Sequence, residues 1–169
     1  HRYGVSVLKD HVYPLFPNIS DTGTLPPESC IFSMLLNIVA AILIFAMYVR
    51  HKQIKEFFRV KRTEEQSTYV LKVNAFTSII GYIACIGLDL IANFQKTNVR
   101  YVHDIGVIIC FWCGTIYTIL QSLMSFWMAP EMNAMMLIVV RSIFSILSLI
   151  LVILNQTSYT LAEQKFCGK

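Results

Sequence analysis

The sequence predicts an all-α, polytopic transmembrane helix bundle with four spans, and three observations carry that expectation. Of 169 residues, 56% are apolar and 14% charged, both displaced in the same direction from soluble domains. The mean hydropathy of +0.59 excludes a disordered tail, a collagen-like fibre and most soluble folds. The apolar residues also fall in blocks near the length of about 20 that crosses a bilayer. No catalytic mechanism is written in these features.

Residues 1–29 read as a polar loop with turn formers at Pro14, Pro17, Asp21, Gly23 and Pro26–Pro27. Residues 1–8 read as the end of a preceding span. Cys30–Val49 is an uncharged stretch and the first span, with Glu28 and Ser29 ahead of it suited to a helix N-terminus. A basic loop at 50–68 leads to a second span at 69–94, which contains Lys72 and Asp89. After a loop at 95–104, the third span runs over 105–128. A turn at 129–134 leads to the fourth span at 135–154, and 155–169 is the tail. Arg141 lies inside the fourth span, where a guanidinium can snorkel to the interface. The chain opens at His1 without Met or a signal-peptide apolar region, so it reads as an internal fragment.

Placement matters more than the net charge of +4. Six of the 14 Lys and Arg (Arg50, Lys52, Lys55, Arg59, Lys61 and Arg62) lie in one connector beside an apolar block. That pattern favours a membrane surface over nucleic acid and places the connector in the cytosol. Residues 1–29, 95–104 and 155–169 are then luminal. Sequons at Asn18 and Asn155 fall on that side, Asn18 being the glycosylation candidate because Asn155 sits too near the bilayer.

Small residues mark close helix approach in lipid. Ser78, Gly81, Cys85 and Asp89 share one face of the second span, and Gly106, Cys110, Gly114, Thr118 and Gln121 share one face of the third. These faces are expected to meet, while broad Leu, Ile, Val and Phe surfaces elsewhere, especially along Ile138–Ile153, are expected to face lipid. Asp89 is the acidic residue inside a span. It reads either as a proton or cation site or as an interfacial Asp bonded to a neighbouring helix, and the lack of a second carboxylate in any span favours the latter.

Cys110-Phe-Trp-Cys113 lies in mid-membrane without a redox context, so packing is its expected role. The five cysteines form no zinc pattern. Cys30 and Cys167 share the luminal side, but nothing requires them to pair. His11, Asp21, His103 and Asp104 also gather there, where such groups can hold Zn2+ or move protons. The alternative is structural, with Asp104 capping the third span and Asp21 closing a turn. No H-E-x-x-H, nucleophile elbow or P-loop accompanies them, so no metal, cofactor or catalytic residue is expected.

The segment from Asn18 through Ser20, Asp21, Thr22, Gly23, Thr24, Pro27 and Glu28 to Ser29 resembles the ISDTGT–PPE loop of the damage-regulated autophagy modulators. Ile91-Ala-Asn93-Phe94-Gln95, Val102-His103-Asp104 and Tyr117-Thr-Ile-Leu-Gln121-Ser122 are similar to further motifs of that family, and His11 falls within the same span of resemblance. The chain is thus identified as similar to this branch of the wider Frag/DRAM/Sfk membrane-protein group. The resemblance implies six spans in a full member, and a lysosomal or other endomembrane location, with the plasma membrane as the alternative. It implies promotion or regulation of autophagy without catalysis, through lipid-bilayer or membrane-protein contacts. Because the wider group includes proteins of lipid remodelling, an enzyme or accessory subunit using luminal His and Asp is the second reading. A channel or transporter is the third.

Overall fold

The computed structural model of the chain describes residues 25–61, 64–129 and 135–167. Among these residues the architecture is an all-α helical bundle without strands. Its elements are α1 (Glu28–Lys61), α2 (Glu64–Asn93), α3 (Arg100–Trp127) and α4 (Met135–Cys167). Each is long and apolar enough to cross a membrane. In hydrocarbon only helices and closed barrels satisfy every backbone group internally, so apolar blocks of this length fold as helices. Glu28 in the first turn of α1 and Arg59 and Lys61 in its last turn match the signs of the helix dipole.

Helix bounds depart from the expected spans for identifiable reasons. The segment expected as a basic loop is helical from Arg50 through Lys61. Ile54, Phe57 and Phe58 recur there at helical spacing, and all three are buried, so an apolar stripe carries the helix onward among the basic residues. α3 begins at Arg100, which puts Asp104 inside the helix rather than at its cap. The expected tail is helical through Cys167, in a stretch without Pro or Gly to stop it.

Two compact units divide the chain, one of residues 1–48 and 82–110 and the other of 49–81 and 111–169. In the first, α2 and α3 meet backbone to backbone at Gly87. A Cβ there would lie 2.5 Å from Cys110 N and 2.9 Å from Gly106 O. Gly106 and Cys110 therefore line the crossing, but their partner is Gly87 rather than the stripe through Cys85. Two residues along a helix turn the side chain by about 200°, so Gly87 points away from that stripe.

In the second unit, Ile54, Phe57, Phe58, Val70, Met124 and Met128 form the apolar core, with Val73 against it. The Phe57 and Phe58 rings meet edge to face at 5.2 Å. Hydroxyls join α3 to α4, where Thr115 Oγ1 and Ser148 Oγ lie 2.8 Å apart and Ser122 Oγ and Ser145 Oγ 2.9 Å. Most of α4 from Val139 to Ile153 is exposed apolar surface, but Ile138, Ser145 and Val152 are buried at sevenfold spacing. That narrow strip turns inward while the broad apolar surface around it is exposed.

Gly114 has nothing within 4 Å of the place a Cβ would take, so the packing role expected of it is corrected. Eight residues beyond Gly106 the helix face has drifted by about 80°. Gly81 and Cys85 are both buried.

Candidate functional site

The first unit carries an open cleft with polar edges between α1 and α2. The turn of α1 bearing Ser33 and Asn37 faces the end of α2, where Asn93 acts as a hub. Asn93 Oδ1 accepts from Ser33 Oγ at 2.9 Å and from Asn37 Nδ2 at 3.2 Å. Its Nδ2 donates to Asn37 Oδ1 at 3.1 Å and to Asp89 O at 2.8 Å. Both amides thus use donor and acceptor on each other, which ties α1 to the end of α2.

Beside this pair opens a cleft of about 410 Å³ lined by Asn37, Ala40, Ala41, Ile44, Asp89 and Asn93. Ala40 and Ala41 leave the room, and Asp89 and the two amides supply polar edges. Among the described residues the Asp89 carboxylate makes no bond to a neighbouring helix. The backbone carbonyl is engaged instead, and the side chain lines the cleft. Such a wall can hold a hydroxyl-bearing headgroup or a cation, since it presents both donors and acceptors.

Of the luminal constellation expected from sequence, His103 and Asp104 fall within the described residues. His103 is buried, and its Nδ1 lies 2.9 Å from Phe94 O. A carbonyl only accepts, so Nδ1 carries the hydrogen. Gln95 O accepts from Asn98 N and Val99 N, and Gln95 Oε1 from Asn98 Nδ2 at 2.9 Å. Phe94, Gln95 and His103 are therefore the fastening of the α2–α3 turn. Asp104 pairs with Arg100 at 3.5 Å along α3. His11, Asn18, Ser20, Asp21, Thr22, Gly23 and Thr24 lie outside the described residues, while Pro27 accepts from Ile31 N ahead of Glu28 in the first turn of α1. Among the described residues no three His, Cys, Asp or Glu side chains are grouped to hold a metal. Cys30 is exposed, and neither it nor Cys110 nor Cys113 is in a disulfide.

In the second unit the polar contacts cluster on Gln121 and Ser125. Arg50 Nε donates to Gln121 Oε1 at 3.3 Å and Arg50 Nη2 to Ser125 Oγ at 3.1 Å. Arg141 Nη1 donates to the same Ser125 Oγ at 2.6 Å. On another face, His51 Nδ1 lies 2.9 Å from Ser78 Oγ, and Asn74 Nδ2 donates to His51 O at 3.0 Å. Ser78 spends its own hydrogen on Asn74 O, so the histidine is the donor to it.

These contacts correct the expected pairing of faces. The polar stripe of α2 looks toward α1 in each unit, at His51 in one and Asn37 in the other, rather than toward α3. Sequence reasoning missed Ser33, Asn37, His51, Gly87, Ser125, Ser145 and Ser148. For Asn37 and the serines a signal existed, as polar residues in otherwise apolar spans mark protected faces.

Comparison with known proteins gives a consistent family. The sequence model of the Frag1/DRAM/Sfk1/Cwh43P N-terminal domain matches residues 2–168. The chain is similar to human DNA damage-regulated autophagy modulator protein 1, 39% identical over 146 residues, covering 86% of the chain and 59% of that relative. The mouse DNA damage-regulated autophagy modulator protein 2 is 37% identical over 139 residues, 82% of the chain and 50% of the relative. Zebrafish modulator of macroautophagy TMEM150B is 28% identical over 126 residues, 75% of the chain and 50% of the relative. The chain thus spans half to three fifths of the length of these relatives. No solved structure matches it.

Proposed function

Because the chain belongs to the Frag1/DRAM/Sfk1/Cwh43P family, we propose that it is a multi-pass membrane modulator of autophagy. In this reading it acts on the lysosome or another endomembrane, through lipid or protein contacts and without bond-making chemistry. The observation that carries the reading is the similarity over 86% of the chain to a relative named as an autophagy modulator. The site geometry agrees with it. His103 and Asp104, the residues an enzyme reading would use, are engaged with Phe94 O and Arg100. Those bonds hold a turn and a helix surface together.

The cleft at Asn37, Asp89 and Asn93 supplies the contact surface in this reading, open to a polar group presented from the bilayer. The basic stretch from Arg50 to Arg62 faces the cytosol, following the charge rule for connectors.

The test is re-expression in cells lacking the protein, with autophagic flux and lysosomal lipid composition measured together. Restored flux with unchanged lipid composition is expected from the parent and from His103→Gln at equal abundance. Loss of flux in His103→Gln together with an accumulated lipid substrate moves the lipid-remodelling reading to first place. Parent protein that leaves flux unchanged removes the proposal.

A further inference from the structure

Arg50 and Arg141 come from different helices and turn their charged ends onto one oxygen. They lie 3.1 and 2.6 Å from Ser125 Oγ. Like charges this close oppose each other, the more so where solvent is scarce. Among the described residues they hydrogen-bond to a hydroxyl and an amide, both neutral, with the Tyr117 phenol also near Arg50. A staple between helices needs one cation and an acceptor. Two cations on one acceptor are the arrangement of a site for an anion.

We infer that Arg50, Arg141 and Ser125 form a binding site for a phosphomonoester group. The hydrogen-bonding capacity is present. A guanidinium carries five N–H donors, and the bonds described occupy two of them on Arg50 and one on Arg141. The remainder can fork onto phosphate oxygens, the pairing for which the planar guanidinium is best suited. Charge selects within the phosphates. A monoester carries about −1.5 to −2 near neutrality, which matches two guanidinium groups better than the single charge of a diester.

The depth of the site agrees with a ligand presented at a membrane surface. Arg50 directly follows the uncharged stretch Cys30–Val49, Ser125 lies in the last turn of α3, and Arg141 lies in the second turn of α4. All three occur where an apolar stretch gives way to the basic end of α1. Lys52, Lys55, Arg59 and Lys61 are exposed on that end and raise the local concentration of anions. Basic pockets between transmembrane helices at such a level suit phosphorylated headgroups. Gln121 completes the placement, since its Oε1 holds Arg50 Nε and its carbonyl accepts from Ser125 Oγ.

The shared chemistry is a phosphomonoester, which a lipid headgroup or a soluble phosphate can supply, and the experiment separates them. The full chain is reconstituted in phosphatidylcholine nanodiscs, and binding is followed by thermal shift and native mass spectrometry. The probes are phosphatidic acid, phosphatidylserine as an anionic diester control, and inorganic phosphate. One phosphatidic acid bound per chain, at least about tenfold more tightly than phosphatidylserine, is expected. Arg50→Gln and Arg141→Gln each weaken it at least about tenfold. Exposed Lys55→Gln weakens it no more than about fivefold, the scale of one basic residue near a membrane surface. Arg141→Lys keeps the charge without the fork, and its binding falls between parent and Arg141→Gln. It decides the matter if the glutamine variants do not fold. A thermal shift from inorganic phosphate that either arginine substitution abolishes assigns the site to a soluble ligand as well. Parent protein that does not distinguish phosphatidic acid from phosphatidylserine overturns the inference, as do folded arginine variants that bind like the parent.

Discussion

The side chains of Asn37 and Asn93 hydrogen-bond to each other in both directions, at 3.2 Å from Asn37 to Asn93 and 3.1 Å in return. One residue sits in α1 and the other at the end of α2, so the pair fixes the spacing of these helices beside the cleft. Interhelical polar bonds in membranes contribute about 0.6 kcal/mol on average and up to about 1.7. Asn93→Ala also removes the acceptor of Ser33, and a loss of about 1–2 kcal/mol is expected from it. Asn37→Ala added to it costs little more, because the shared bonds are already gone. Thermal unfolding in detergent of both single variants and the double checks this, and full additivity contradicts the pairing.

His103→Ala opens the turn between α2 and α3 by removing the bond to Phe94 O. The carbonyl then loses its side-chain partner in a part-buried setting, at a cost of about 0.5–1.5 kcal/mol. Lower melting temperature and lower abundance are the expected result, with activity per folded molecule kept. His103→Gln, which can still donate to the carbonyl, recovers part of the loss. Normal stability with lost function in both variants points to chemistry at the ring instead.

The spans were legible because an uncharged block of about 20 residues has few alternatives to a membrane helix. The continuation of α1 was not, because Ile54, Phe57 and Phe58 lie among six basic residues that read as a connector. Their helical spacing was the available signal. Facing partners were harder still. The stripe through Ser78, Cys85 and Asp89 was visible as a face, but periodicity cannot say which neighbour it meets. Asn37 and His51 on α1 answer it, while α3 approaches at Gly87. In the sequence Arg50 is one unit of charge in a basic run, since nothing linear brings it to Ser125 and Arg141.

Asp89→Asn tests the cleft. The carboxylate lines the open cleft beside Asn93, and a charged group inside a span costs a few kcal/mol. Asn keeps the size and some hydrogen-bonding capacity, so abundance at or above the parent level is expected, with autophagic flux preserved. Flux abolished at normal abundance, together with proton or cation leak through liposomes, moves ion handling to the front.

The two glycines of α2 and α3 give opposite expectations for the same substitution. At Gly87 a Cβ would lie 2.5 Å from Cys110 N and 2.9 Å from Gly106 O. Both are backbone atoms, so no side chain can swing aside, and the helices must separate. Overpacking of this kind costs about 1–3 kcal/mol in well-packed cores, sometimes more. The same methyl at Gly114 meets nothing within 4 Å. There, exchanging glycine for alanine removes chain entropy from the unfolded state and stabilises a helix by about 0.5–1 kcal/mol. Gly87→Ala should therefore lower the melting temperature and the amount of folded protein, while Gly114→Ala leaves both unchanged or raises them. The two variants are expressed side by side and compared with the parent by thermal unfolding in one detergent. Equal losses at both positions contradict the crossing at Gly87, and a loss confined to Gly114 restores the small-residue seam that the sequence suggested.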